Sequence, residues 1–276
     1  MAFNYEKYIR PGKLPHIWCP GCGHDIVMKG LIRAIDKCAL NKNRTAVISG
    51  IGCASRLPGY VDFNTVHTAH GRAAAFATGM KMADPGLTVL CVGGDGDGVA
   101  IGGNHFIHAC RRNIDITYIL MNNHIYGMTG GQFSPCTPTD GFASTTPYGN
   151  PDPVFDIAKL AIGAGATFVA RTTAYHATQI DKLIIEGIQH KGFSVIEILD
   201  CCPTSYGRRN KYRSVVEMMK QHKELAVPVT AAAKMAPEDL AGKIITGVLH
   251  KEDKPEYCEQ YSRLIEKVQE QAAAKG

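Results

Sequence analysis

With 276 residues, 45% hydrophobic and 20% charged, the chain has room for one large domain with a sizeable core, and its 29 glycines point to many tight turns. A net charge of +5, with Lys and Arg scattered outside the single run RRNKYR (208–213), excludes a nucleic-acid-binding surface as the leading reading. No apolar stretch approaches a membrane span, and MAFNYEKYIRP lacks the charged-then-apolar pattern of a signal peptide. The expectation is therefore a cytoplasmic protein, free of membrane, whose ten cysteines stay reduced.

The first informative stretch is IWCPGCGHDI (17–26). Cys19 and Cys22 enclose two turn-forming residues and precede a helix-like run, as in a thiol–disulfide exchange motif. Such a motif follows a buried strand, whereas here RPGKLPHI, with two prolines, precedes it. Spaced cysteines in a reducing compartment more often hold metal.

Further along, TAVIS (45–49), LTVLCVG (87–93), DITYILMN (115–122), TFVAR (167–171) and FSVIEIL (193–199) read as strands. They are continuous apolar runs, as in a parallel sheet covered on both faces. Helix-like segments at 71–83, 102–112, 153–165 and 175–190 alternate with them. The pattern predicts an α/β fold: an open, mostly parallel sheet with helices on both faces. Cys38, Cys91 and Cys110 fall inside these periodic segments and are expected to be buried apolar thiols. Residues 123–152 are rich in Gly, Pro, Ser and Thr, a loop long enough to be functional. From 214 the pattern turns helical and charged. One helix is expected over MAPEDLAGKIITGVLH, with Pro237 in its first turn, and another from about 255. The expected division is a domain over 1–213 and a C-terminal helical extension over 214–276. RRNKYR reads either as a solvated loop or as an anion or partner site.

The strongest signal is Gly94-Asp95-Gly96 directly after one strand and Asn122-Asn123 directly after the next. A right-handed β-α-β unit brings both to the carboxyl edge of the sheet, where α/β folds bind ligands. An Asp, an Asn and nearby backbone carbonyls make an all-oxygen site suited to Mg²⁺, which would bridge the carboxylate to a diphosphate. Neither G-x-G-x-x-G nor G-x-x-x-x-G-K-[ST] is present. Cys53, in SGIGCASR after the first strand, lies on the same edge, and Cys201-Cys202 follow the last. Four thiols from three loops suit a zinc ion or a [4Fe–4S] cluster. One close pair with two distant singles leans towards the cluster.

GDG followed by NN resembles the thiamine-diphosphate fingerprint. WCPGCG, SGIGC, HTAHGRA, GGDGD, NNHIYGMTGGQ and CPTSYGRRNK, in this order over about residues 10–215, resemble the β subunit of 2-oxoacid:ferredoxin oxidoreductases. The resemblance implies a thiamine-diphosphate-binding fold and oxidative decarboxylation of a 2-oxoacid with coenzyme A, with ferredoxin as electron acceptor. It implies Mg²⁺ held by Asp95, Asn123 and the Ile125 carbonyl, with Gly96 and Asp97 by the diphosphate. Ile51, Gly52, Cys53 and Ala54 match the segment that meets thiamine, His70, Gly71 and Arg72 its H-G-R element, and Tyr126, Gly127 and Met128 the covering loop. Arg72 is expected to counter phosphate or a substrate carboxylate; His70 read by itself could be a helix-start residue. Cys19, Cys22, Cys53 and Cys202 are implied as ligands of one [4Fe–4S] cluster, Cys202 rather than Cys201 because the ligand stands directly before Pro-Thr. YGMTGGQ resembles members using 2-oxoglutarate, and Arg56 is the cation available for a second carboxylate, with pyruvate or branched-chain 2-oxoacids as the alternatives. No glutamate occupies a position to activate the aminopyrimidine, so a partner α subunit, in an α₂β₂ assembly, is expected to supply it. The rival readings are a non-oxidative thiamine-dependent decarboxylase and an electron-transfer subunit with a degenerate thiamine site.

Overall fold

A computed structural model describes residues 3–274. Met1, Ala2, Lys275 and Gly276, at the ends of the two expected domains, lie outside the described residues. In chain order the elements are α1 (His24–Lys37), β1 (Thr45–Ser49), β2 (Asn64–His67), α2 (Ala73–Ala83), β3 (Thr88–Gly94), α3 (Gly103–Arg112), β4 (Thr117–Asn122) and the short pair β5 (Ile125–Tyr126) and β6 (Gln132–Phe133). Then follow α4 (Ile157–Gly163), β7 (Phe168–Thr173), α5 (Ala177–Gln189), β8 (Ser194–Leu199), α6 (Val215–Leu225), β9 (Ala226–Pro228), α7 (Val229–Ala232), β10 (Ile244–Lys251) and α8 (Tyr257–Ala273).

Eight strands form one sheet in the order β2-β1-β3-β4-β8-β7-β10-β9. All neighbours are parallel except β10 against β7. Every residue of β1, β4 and β8 is buried, which is why these strands read as unbroken apolar runs. On one face Leu31 and Ile35 of α1 and Ile180 and Ile184 of α5 meet Val47, Leu90, Ile119 and Ile196. On the other, Ala77 of α2, Phe106 of α3 and Ala161 of α4 meet Ala46, Cys91, Tyr118 and Val195. Truncating one such fully buried Leu or Ile to Ala costs about 2–5 kcal/mol. Among the described residues no helix is long and apolar enough to cross a membrane.

The C-terminal segment departs from expectation. Instead of one helix, MAPEDLAGKIITGVLH forms a 3₁₀ turn at Pro237–Leu240 followed by β10. Gly242, at φ +73°, ends the turn, and the β-branched Ile244, Ile245, Thr246 and Val248 suit a strand. β10 pairs with the edge of β7 and covers backbone groups that would otherwise lie open. The last helix stands at α8. β2 escapes the sequence pattern because a four-residue edge strand, NTVH, shows no buried run. Cys91 and Cys110 are fully buried as expected, whereas Cys38 is only partly so.

The carboxyl ends of β1, β3, β4 and β8 carry the loops of interest. From β1 the chain turns outward to β2, and from β3 it crosses the other way to β4. The crevice at such a reversal is where open α/β sheets bind ligands.

Candidate cofactor and cysteine site

Two adjoining cavities open at this edge. The first is lined by Ile51, Gly52, Cys53 and Ala54 from the β1 loop, His70, Gly94 to Asp97 after β3, and Asn123 with Ile125 to Thr129 after β4. Asp95 is buried, and burial raises its carboxyl above the usual carboxylate range. Ser134 Oγ donates to its Oδ2 at 2.5 Å. Asn123 Oδ1 accepts from Ile125 N at 3.2 Å, and Asn122 Oδ1 from His124 N at 3.2 Å. His124, at φ +65°, bends the chain back so that Asn123 and Ile125 flank the same turn. A buried carboxylate, an amide oxygen and nearby carbonyls fit a hard divalent cation, whose charge would offset the desolvation of Asp95.

The chain continues from Asp95 into a π-helical turn, Gly96–Ile101, and then α3. Helix starts of this kind present free N–H groups to anions. Gly96 must be glycine, because a Cβ there would lie 2.3 Å from the Tyr126 ring. Tyr126 Oη donates to the Gly96 carbonyl at 3.1 Å, and burial pushes its phenol up to about 12.

Asp97 does something the sequence reading missed. Its Oδ1 accepts from His70 Nδ1 at 2.7 Å, Gly71 N at 2.8 Å and Ile51 N at 3.0 Å. It therefore ties the β1 loop to the H-G-R element, while its Oδ2 is buried without a hydrogen-bond partner. Gly71, at φ +72°, and Arg72 are not among the cavity's lining residues. The Arg72 guanidinium donates to the His70 carbonyl at 3.2 Å.

The second cavity is lined by Cys19, Cys22, Cys53 and Cys202, with Arg56 at its edge. Cys201 points away, fully buried, with its sulfur 3.9 Å from His222 Nδ1. Burial pushes the Cys22 thiol up, and the Cys53 thiol up to about 11, so thiolates there require a nearby positive charge. The four cysteines line a cavity of about 150 Å³. Their sulfurs are not all within 4.8 Å of one another; among the described residues that closeness is met by Cys22, His24 and Asp200. A tetrahedral zinc, with sulfur at about 2.3 Å, needs a tighter set, whereas an inorganic cluster fits a wider one. Cys53, Asn123, Gly127 and Met128 belong to both cavities and form the wall between them.

Two further residues went unread in the sequence. His24, at the start of α1, bonds through Nδ1 to Asp200 Oδ2, both buried, and its Nε2 has no partner. His24 lines the first cavity. The available signal was their position, two residues from Cys22 and from Cys202. Among the described residues no glutamate lines either cavity.

Residues 50–198 match the model of the thiamine pyrophosphate enzyme C-terminal TPP-binding domain. The chain is 50% identical over 262 residues to a 2-oxoglutarate synthase subunit KorB of Methanocaldococcus jannaschii, covering 95% of this chain and 97% of that one. It is 48% identical over 262 residues to the subunit of the same name from Methanothermobacter marburgensis, covering 95% and 92%. A solved structure of 2-oxoglutarate:ferredoxin oxidoreductase from Magnetococcus marinus, with 2-oxoglutarate, coenzyme A and succinyl-CoA bound, superposes with a TM-score of 0.86 at 36% identity, over 95% of this chain and 90% of that one.

Proposed function

We propose that this chain, which belongs to the 2-oxoacid:ferredoxin oxidoreductase β subunits, serves an enzyme that oxidatively decarboxylates 2-oxoglutarate with coenzyme A, giving succinyl-CoA, CO₂ and reduced ferredoxin. The observation that carries the reading is the shared wall. Four thiols gather in one cavity whose inner residues also line the cavity of the GDG and NN loops. A thiamine centre and an electron acceptor set side by side suit an oxidative, rather than a simple, decarboxylation.

Asp95, Asn123 and the Ile125 carbonyl would hold Mg²⁺, and Cys19, Cys22, Cys53 and Cys202 a [4Fe–4S] cluster. When bound, thiamine diphosphate supplies the electron sink for decarboxylation and the cluster a one-electron acceptor. The chain's own residues bind and shield. Gly96 allows close approach at the head of the π-turn, and Tyr126, Gly127 and Met128 cover the cavity and exclude water. His70, oriented by Asp97, presents its free ring nitrogen as a hydrogen-bond partner. Arg56, exposed at the cysteine cavity, is the cation for the second carboxylate of 2-oxoglutarate. Arg72 donates to the His70 carbonyl and would steady that loop while its remaining N–H groups serve a phosphate or substrate carboxylate. With no glutamate in either cavity, the activating carboxylate comes from an α subunit in an α₂β₂ complex.

The test is the anaerobically purified complex. About four irons and matching acid-labile sulfide per chain, a reduced-cluster EPR signal, and 2-oxoglutarate oxidised well ahead of pyruvate are expected. Arg56→Ala should erode that preference, and the isolated chain should not turn over. Zinc in place of iron, or turnover by the chain alone, would defeat the reading.

A further inference from the structure

The basic run RRNKYR takes a definite position beside the cysteine cavity. From Cys202 the chain winds through a π-helical turn, Pro203–Gly207, with Gly207 N donating to the Cys202 carbonyl at 2.9 Å and Arg208 N to the Pro203 carbonyl at 3.2 Å. Asn210 then fixes the loop: its Oδ1 accepts from Phe142 N at 2.9 Å and its Nδ2 donates to the Tyr206 carbonyl at 2.9 Å. Arg208, Arg209, Lys211 and Arg213 are exposed on this pinned loop. Among the described residues none of the four has a carboxylate within ion-pair distance. Four exposed, unpaired cations within six residues make a locally positive surface of the kind that steers an acidic partner.

The loop adjoins the outer side of the cysteine cavity. The Cys19–Cys22 turn packs on the start of α6, two residues past Arg213; a Cβ on Gly21 would lie 2.5 Å from a Val215 methyl. Cys19 itself is exposed, Pro20 beside it is exposed, and Ile17 is 66% exposed while lining the cavity. A small apolar centre at the sulfur cavity, with unpaired cations on the loop that continues from its Pro203 to Ser205 wall, matches the surface of a brief electron-transfer encounter, in which charge steers and little area is buried.

We infer that this face, the Arg208–Arg213 loop with Ile17 and Pro20, is the docking surface for an acidic electron carrier of the ferredoxin class. The inference rests on the function proposed above. At each encounter one electron leaves the reduced cluster and reduces the carrier, and no bond or proton moves.

The experiment uses the whole complex with 2-oxoglutarate and coenzyme A, assayed once with methyl viologen and once with a ferredoxin of net negative charge. Arg208→Glu/Lys211→Glu is compared with wild type, with the neutral Arg208→Gln/Lys211→Gln, and with Lys182→Glu, an exposed cation on α5. The expected result is an unchanged viologen-linked rate and a KM for ferredoxin raised on the order of tenfold by charge reversal, less by neutralisation and not at all by Lys182→Glu. Added salt should raise the wild-type KM and flatten the differences. An unchanged ferredoxin KM overturns the inference. So does loss of subunit association on gel filtration, which would make the face a subunit contact. A wild-type complex that reduces neither acceptor fails at the proposed function itself, before the docking face is at issue.

Discussion

His70 is held by Asp97: its Nδ1 donates to Asp97 Oδ1 at 2.7 Å, on the same oxygen that takes the N–H groups of Gly71 and Ile51. One carboxylate oxygen thus fixes two loops on either side of the candidate thiamine cavity. Asp97→Ala would leave three donors without their acceptor, and each buried unpaired group costs about 1–3 kcal/mol. We predict a loss of at least about 3 kcal/mol in urea denaturation for Asp97→Ala. Asp97→Asn, which keeps an acceptor oxygen, should lose clearly less. Equal losses would mean that charge, not the tie between loops, is what Asp97 supplies.

The adjacent thiols Cys201 and Cys202 should behave oppositely. Cys202 lines the cavity with Cys19, Cys22 and Cys53, while Cys201 lies under α6 against His222. Cys202→Ser should lower the iron content and abolish the reduced-cluster EPR signal, because one ligand in four is gone. Cys201→Ser should keep both and lose only packing. Iron analysis of the two variants decides it, and a cluster lost in Cys201→Ser alone would reverse the assignment.

Behind the second asparagine loop lies a buried charge network. Arg171 Nε meets Glu197 Oε2 at 2.7 Å and its Nη2 meets Asp156 Oδ1 at 2.5 Å, while Asn122 Nδ2 donates to Glu197 Oε1 at 2.9 Å. Removing Arg171 leaves the buried Glu197 without a cation, so Arg171→Met should cost about 3–5 kcal/mol. Arg171→Met/Glu197→Leu should recover much of that loss, since the buried carboxylate is gone and the half-buried Asp156 keeps Lys159. Chemical denaturation of the two variants tests this. A double variant no more stable than the single would place the cost in packing instead.

How far the sequence carried the fold and the site follows from the physics of each element. The five core strands were legible because burial on both faces makes nearly continuous apolar runs, as in β4 and β8, where Glu197 is the one charged residue. β10 was not, because IITGVLH has an apolar periodicity that a helix and a strand share, and only pairing with β7 decides between them. In the site, Asp95, Asn123, Cys53 and Cys202 could be read from their places at strand ends, and Cys19 and Cys22 from their close spacing. Ser134 on Asp95 and the pair His24–Asp200 could not, since their partners are 39 and 176 residues away along the chain. Asp97 lines the cavity where the diphosphate is expected, but its bonds to Ile51, His70 and Gly71, 26 to 46 residues away along the chain, leave no local signal.

His222 supplies a pH dependence unconnected with turnover. It is buried on α6, and burial holds its imidazolium down to about 4. In the unfolded chain the same ring titrates near its ordinary value of 6.5. Between these two values the unfolded state binds the proton that the folded state refuses, so stability must fall as the pH falls from about 6.5 to about 4. Above that window both states are neutral and His222 contributes no pH dependence. At 1.36 kcal/mol for each unit, the full fall is about 3 kcal/mol. His222→Gln removes the titrating group, so the difference in unfolding free energy between wild type and variant should shrink in wild type's disfavour by about that amount from pH 7.5 to pH 4. Measured as urea midpoints at several pH values, parallel curves for the two proteins would show that His222 takes up its proton in the folded state as readily as in the unfolded one.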